Sequence, residues 1–268
     1  MSTQDPTRFR AALITGASSG IGAALAGLLP PPTKLLLSGR DAAALARVRD
    51  ALREPGRVEI VVADLSRAED RQRVIAAGDA AGVDLLVNNA GLGAFGRVVE
   101  NDPAREAEMA EVNVVAPVVL TRALLPGMLD RARSRGTRAG VIIVSSVVGF
   151  GPMPRLATYA ATKAFDLHYA EGLAAELARD PVDVLALCPG ATRTAFHDRA
   201  GLPRESSPFE HTAERVAQDA LAALGRRTVH VVGGTNVATA LALRLVPRPL
   251  IRAGAAAATA RLARRRKP

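Results

Sequence analysis

The chain has 268 residues, 49% apolar and 23% charged, which is enough apolar material for one sizeable core and argues against bulk disorder. Its net charge is +9, but 248–268 holds six Arg, Lys267 and no acid, leaving +2 for the rest; the basicity belongs to a tail, and no aromatic-interleaved basic surface suggests nucleic-acid binding. The single cysteine, Cys188, excludes an intramolecular disulfide and agrees with a cytoplasmic setting, while the start MSTQDPTRFR has no signal-like apolar region and no run of 18 apolar residues predicts a membrane span.

The first predicted strand, 11–14, runs into Thr15-Gly-Ala-Ser-Ser-Gly-Ile-Gly22 and then a helix over 21–29 that the prolines at 30–32 end sharply. Glycines between a strand and a helix let the backbone turn tightly and approach a pyrophosphate, and the helix start offers free N–H groups and the positive end of its dipole. Gly16, Ser18, Ser19, Gly20, Ile21 and Gly22 are therefore candidate phosphate contacts, although a plain tight turn has the same composition. A second strand over 34–38 leads to Gly39-Arg40-Asp41 and a helix over 41–53. An acid about 20 residues past the glycines would hold a ribose diol; Gly39 and Arg40 stand there instead, and a guanidinium suits a 2′-phosphate. Arg40 can equally be a solvated loop residue, and Asp41 reads as a helix N-cap.

A third strand at 58–62 is followed by Ala63-Asp64-Leu65 and a helix over 67–80, for which Asp64 could supply an N-terminal cap. The fourth strand, 85–87, runs into Asn88-Asn89-Ala90-Gly91, and a long helix is predicted over 104–133. The fifth strand, 141–144, ends at Ser145-Ser146, and a helix over 158–179 carries Tyr159-Ala-Ala-Thr-Lys163 near its start. With two Tyr and three Lys in the chain, a Tyr–Lys pair four apart is rare by chance. That spacing shares a helix face, and an ammonium beside a phenol favours the phenolate, equipping Tyr159 for general acid or base work. A sixth strand, 182–187, leads to Pro189-Gly190-Ala-Thr192-Arg-Thr194, followed by a helix over 212–225 and a seventh strand over 228–232. Beyond Gly234 the pattern changes: 237–246 is apolar, Pro247 and Pro249 break it, and alanines lead into the arginines.

Strand alternating with helix predicts a Rossmann-like, doubly wound parallel α/β sheet of about seven strands, with one domain over 1–234 and a helical, basic appendage over 235–268. The glycine spacing, Asn-Asn-Ala-Gly and Tyr-x-x-x-Lys, in this order, resemble the single-domain short-chain dehydrogenase/reductase family over about 10–234. That resemblance implies hydride transfer between NADP(H) and a carbonyl or alcohol. It implies Ser146, 13 residues before Tyr159, as the serine that bonds the substrate oxygen, Tyr159 as acid or base, and Lys163 as its partner. It also implies Asn113 as the fourth member, holding Lys163 through water. On the cofactor it implies contacts from Asp64 and Leu65 to the adenine side, from Asn89, Ala90 and Gly91 at the sheet centre, from Lys163 to the nicotinamide ribose, and from Pro189, Gly190, Thr192 and Thr194 to the nicotinamide. Thr192 departs from the Val or Ile usual in the family.

Apolar residues and scarce phenylalanines (Phe95, Phe150, Phe196, Phe209) gather in the segments after strands four to six, which predicts an apolar substrate pocket under a lid at 195–211. A dimer contact would concentrate them equally. The four His show no metal-ligand spacing and no Gly-x-Ser-x-Gly elbow is present, so zinc and hydrolase chemistry lack support. A nucleotide-binding regulator on the same fold is the alternative class, but it would not need the Tyr–Lys pair. The expected partners are a small carbonyl or alcohol substrate and further copies in a homodimer or homotetramer. The tail's arginines spread around a helix, so loose attachment to an anionic membrane is the most it predicts; a solvated tail is the plainer reading.

Overall fold

A computed structural model describes residues 9–202 and 210–265. Its strands are β1 (Ala11–Thr15), β2 (Lys34–Gly39), β3 (Val58–Val62), β4 (Leu85–Asn88), β5 (Ala139–Val144), β6 (Val182–Cys188), β7 (Thr192–Arg193), β8 (His211–Thr212) and β9 (Val229–Val231). All but β7 and β8 form one sheet in the order β3-β2-β1-β4-β5-β6-β9, with every pair parallel. The seven-stranded doubly wound sheet read from the sequence is therefore the fold of the chain. Strand order reverses between β1 and β4, and the C-terminal ends of the strands there open a crevice.

Successive residues of each central strand feed opposite cores. Leu13, Leu36, Leu86, Val141 and Ile143 pack on one side with α3 (Ala68–Ala81), α4 (Pro103–Ala110), α5 (Ala116–Arg135) and α6 (Ala157–Glu176). Ile14, Leu35, Leu37, Leu85, Val87 and Ile142 face the other side, with α1 (Gly20–Leu28), α2 (Ala42–Ala51) and α8 (Ala213–Ala223). A fully buried leucine among them contributes about 2 kcal/mol, so register is strongly fixed.

The helix expected over 104–133 differs from the prediction. Between α4 and α5 lies a π-helical turn, Glu111–Val115. Pro117 lacks the N–H that would bond the Asn113 carbonyl in a regular helix, which accounts for the wider turn. The stretch Pro103–Arg135 is long and apolar enough to cross a membrane, yet half of its most apolar window is buried within the protein, where it packs as a core helix.

The described part of the predicted lid, 195–211, contains a short helix α7 (Phe196–Arg199), and β7 just before it pairs in parallel with β8 at its end, a two-residue pair that the sequence did not announce. Phe209 and the rest of 203–209 lie outside the described residues. Beyond β9 the chain forms α9 (Gly234–Leu245) and α10 (Arg248–Arg265), so the described part of the basic end is helical.

Candidate active site

A cavity of about 790 Å³ opens at the C-terminal ends of β1, β2, β4, β5 and β6. Its floor is the glycine loop. Gly16 has φ +63°, and a side chain there would meet the Ala90 backbone at 2.8 Å; one on Gly22 would meet the Gly16 carbonyl at 2.6 Å. The loop can thus fold this tightly only with glycine at both positions. Asn89 ties it down, its Nδ2 donating to the carbonyls of Thr15 and Gly16 at 2.8 and 3.1 Å. Ser19, the N-cap of α1, makes no side-chain capping bond, whereas Asp41 and Thr212 cap α2 and α8. The first turn of α1 therefore keeps N–H groups available to an anion.

Gly16, Ser18, Ser19, Gly20 and Ile21 line the cavity, and Gly22 supports the loop from behind. Arg40, Asp64, Leu65, Asn89, Ala90, Gly91, Pro189, Gly190, Thr192 and Thr194 line the same cavity. Arg40 is already engaged: its Nη1 donates to Glu108 Oε1 at 2.6 Å and lies 4.0 Å from Asp64. Asp64 shapes its own turn, accepting from the Ser66 N–H and hydroxyl at 3.0 and 2.8 Å; it does not cap α3, whose N-cap is Arg67. Two arginines were missed by the sequence reading. Arg47, one turn into α2, shares the Arg40 end of the cavity. Arg199 of α7 donates to Ser19 Oγ at 3.4 Å and so reaches over the phosphate loop from the opposite wall.

At the other end of the cavity stand Ser146, Tyr159 and Lys163. Ser146 follows β5 and accepts from Val148 N–H at 3.4 Å, starting the 3₁₀ turn Val147–Phe150. Tyr159 and Lys163 sit on the first turns of α6, the ammonium 6.0 Å from the phenol ring centre. Burial pushes the Tyr159 hydroxyl above its ordinary value, while the Lys163 charge and a hydrogen bond with Ser146 pull it back. Phe196 of α7 packs on the Tyr159 ring, centroids 5.3 Å apart. Ser145 and Ser146 both border the cavity, but the Ser145 hydroxyl is committed, donating to the Lys163 carbonyl at 2.6 Å, whereas the Ser146 hydroxyl donates more weakly to the Pro189 carbonyl at 3.3 Å.

Asn113 occupies the π-helical turn. Its Oδ1 accepts from Leu92 N–H at 2.8 Å, and its Nδ2 donates to the Leu92 carbonyl and Thr162 Oγ1, each at 2.9 Å. It fixes the Asn-Asn-Ala-Gly loop against α6, and no direct bond joins it to Lys163. The Lys163 ammonium instead donates to the Val144 carbonyl at 2.8 Å and to Asp166 Oδ2 at 2.9 Å. Both side chains of that pair are buried, and Asp166 Oδ1 has no hydrogen-bond partner. Burial pushes the Asp166 carboxyl up and Lys163 opposes it. Asp166 stands three residues past Lys163 on the same face of α6, a spacing that could have flagged it.

Of the expected aromatics that are described, Phe95, Phe150 and Phe196, only Phe196 lines the cavity. Phe95 is buried in the core, and Phe150 lies under Arg244, whose guanidinium carbon is 4.7 Å from the ring centre. Phe209 is outside the described residues. The other apolar residues of those segments, Leu92, Val147, Val148, Leu156 and Leu202, do line the cavity, while Met153 does not. Cys188 is buried behind the site with its thiol pushed up to about 12 by burial, so it is not a nucleophile at neutral pH.

A doubly wound sheet with a phosphate loop at one end of its crevice and a Ser–Tyr–Lys set at the other defines a nucleotide-dependent oxidoreductase. The chain belongs to the short-chain dehydrogenase family, whose sequence description matches residues 10–204. Dehydrogenase/reductase SDR family member 7B of Bos taurus is 32% identical over 241 residues, covering 82% of this chain and 72% of the relative. A short-chain dehydrogenase from Sphingobium yanoikuyae, solved with NADPH, superposes with a TM-score of 0.71 at 32% identity, covering 86% of this chain and 91% of that one. A 3-ketoacyl-(acyl-carrier-protein) reductase from Brucella melitensis, solved with NADH, superposes with a TM-score of 0.74 at 30% identity, covering 85% and 98%. Similar structures thus bind either coenzyme.

Proposed function

We propose that this protein is an NADP(H)-dependent oxidoreductase interconverting an apolar ketone or aldehyde and its alcohol. The observation that carries the reading is the convergence of Ser146, Tyr159 and Lys163 on one cavity with the glycine loop. The coenzyme, when bound, supplies or accepts hydride. Tyr159 gives its proton to the carbonyl oxygen in reduction and takes it back in oxidation. Ser146 bonds the same oxygen and holds it near the phenol, and the Lys163 charge favours the phenolate. Leu92, Val148, Leu156 and Leu202 exclude water and accept an apolar substrate body.

NADP(H) is favoured because two arginines, Arg40 and Arg47, flank the place where a ribose-binding acid would stand, and Gly39 supplies none. Glu108 competes for Arg40, so a 2′-phosphate must displace a carboxylate to gain its guanidinium. Coenzyme consumption measured with a series of ketones of growing apolar length tests both points. NADPH is expected to show a KM at least about tenfold below NADH, the equivalent of one charge-assisted bond. Gly39→Asp with Arg40→Ser should reverse the preference; a Cβ at Gly39 has its nearest neighbours, Leu45 and Ser18, at 3.6 Å or more, so the substitution starts without a clash. Equal use of NADH by the wild type would overturn the Arg40 assignment. Each added methylene should raise kcat/KM by up to about 0.8 kcal/mol until the pocket fills, and a flat series would refute the apolar pocket.

A further inference from the structure

Of the nine large apolar residues exposed among the described residues, five lie together at the bend between α9 and α10. Val237, Leu241 and Leu245 follow one another every four residues along α9, and Val246 and Leu250 continue them around the bend into α10. Their exposures are 41%, 51%, 80%, 38% and 64%, so this is an outward ridge. The opposite face of α9 is occupied. Ala240 is buried, Asn236 donates to the Val232 carbonyl, and Leu243 packs near Gly151. A helix apolar on its buried face and again on its outward face has a second partner to meet.

The charge around the ridge says which partner. From 220 to 268 the chain contains no Asp or Glu and carries nine Arg and one Lys. Arg248, Arg252, Arg261 and Arg264 are exposed on α10. Arg244 stacks on Phe150 and lies 3.7 Å from Glu171, the one acid among the described residues that pairs with these arginines. A second copy docked by the same ridge about a two-fold axis would set arginines against arginines. A nucleic acid would use the arginines but give the leucines nothing. An anionic bilayer satisfies both, with acyl chains receiving the leucines and headgroups the guanidinium groups.

We propose that the α9–α10 elbow docks this protein onto the surface of an anionic lipid bilayer, the apolar ridge entering the headgroup boundary and the α10 arginines binding lipid phosphates. The apolar part is the ridge from Val237 to Leu250, not the arginine-rich end itself, whose charges alone predict only loose attachment. The docked elbow sits at the rim of the cavity: Asn236 of α9 lines it, and Leu243 and Ile251 pack near Gly151 in the loop after Ser146. Attachment would therefore bring the cavity mouth close to the lipid.

The test is co-sedimentation of the full chain with vesicles of equal phosphatidylglycerol and phosphatidylcholine, against phosphatidylcholine alone, at low and high salt. Binding to the anionic vesicles is expected to be at least about tenfold stronger than to the neutral ones. A variant with Leu241, Leu245 and Leu250 each changed to Ser touches only exposed positions and should lose at least about tenfold in affinity. A second variant, Arg248→Gln with Arg252→Gln and Arg261→Gln, should lose binding chiefly at low salt. Light scattering on each variant without vesicles reports the copy-to-copy alternative. Absence of binding to anionic vesicles overturns the proposal, as does binding that the serine variant leaves unchanged. A serine variant that dissociates an oligomer while wild type ignores vesicles would assign the ridge to a second copy instead.

Discussion

Replacing Tyr159 by Phe is expected to lower turnover about a thousandfold while leaving NADPH affinity within about twofold of wild type, because the ring remains and only the proton donor is lost. The ring's contact with Phe196 is kept, so α7 stays seated over the site. Coenzyme titration and single-turnover rates on the same preparation separate the two effects. The pH dependence has a definite sign. Burial raises the Tyr159 hydroxyl above its ordinary value, so Tyr159 keeps its proton through neutral pH and is ready to act as an acid. Carbonyl reduction should be flat from neutral into mildly alkaline pH. Alcohol oxidation needs the phenolate and should rise about tenfold per pH unit below the raised value. A neutral optimum for oxidation would mean that the Lys163 charge outweighs burial at the phenol, whereas normal turnover by the Phe variant would remove Tyr159 from the chemistry.

Replacing Lys163 by Ala should cost stability as well as turnover. Asp166 would be left buried beside β5 without the ammonium that pairs with it, and breaking a buried ion pair from one side costs about 3–5 kcal/mol. Adding Asp166→Leu to Lys163→Ala should restore most of that loss, since an apolar pair of similar volume needs no counter-charge. Turnover and coenzyme affinity should not return with it. Denaturant unfolding of the two single variants and the double variant gives the coupling directly. Additive losses would mean that the pair contributes nothing together, contrary to the 2.9 Å contact.

The sheet was legible because each buried strand is a short apolar run bounded by turn residues, and the glycine loop, Asn-Asn-Ala-Gly, Ser145-Ser146 and Pro189-Gly190 each follow a strand at its C-terminal end. The tight loop at Gly16–Gly22 and the Tyr159–Lys163 face were legible for the same reason: local spacing alone imposes them. What escaped the sequence depends on contacts far apart in the chain. Arg199 meets Ser19 across 180 residues, and Glu108 meets Arg40 across 68. Asp166 looked like any helix acid until packing buried it. Phe95 and Phe150 were drawn to the substrate by their positions in loops, whereas those loops fold back and bury one ring in the core and the other under Arg244. The π-helical turn was hidden because its apolar residues match an ordinary helix and only Pro117 marks the change.

The side chain of Asn113 carries both halves of a peptide group, and it offers them to Leu92 as a neighbouring strand would. Past the end of β4, a helix thus impersonates one rung of a sheet. The shape of the Asn89–Leu92 bend is consequently stored outside the bend, in a turn of helix about twenty residues away. Transplanting those four residues into another parallel sheet would carry their letters but not their curve. Any designer borrowing the loop has to borrow the widened turn that writes it.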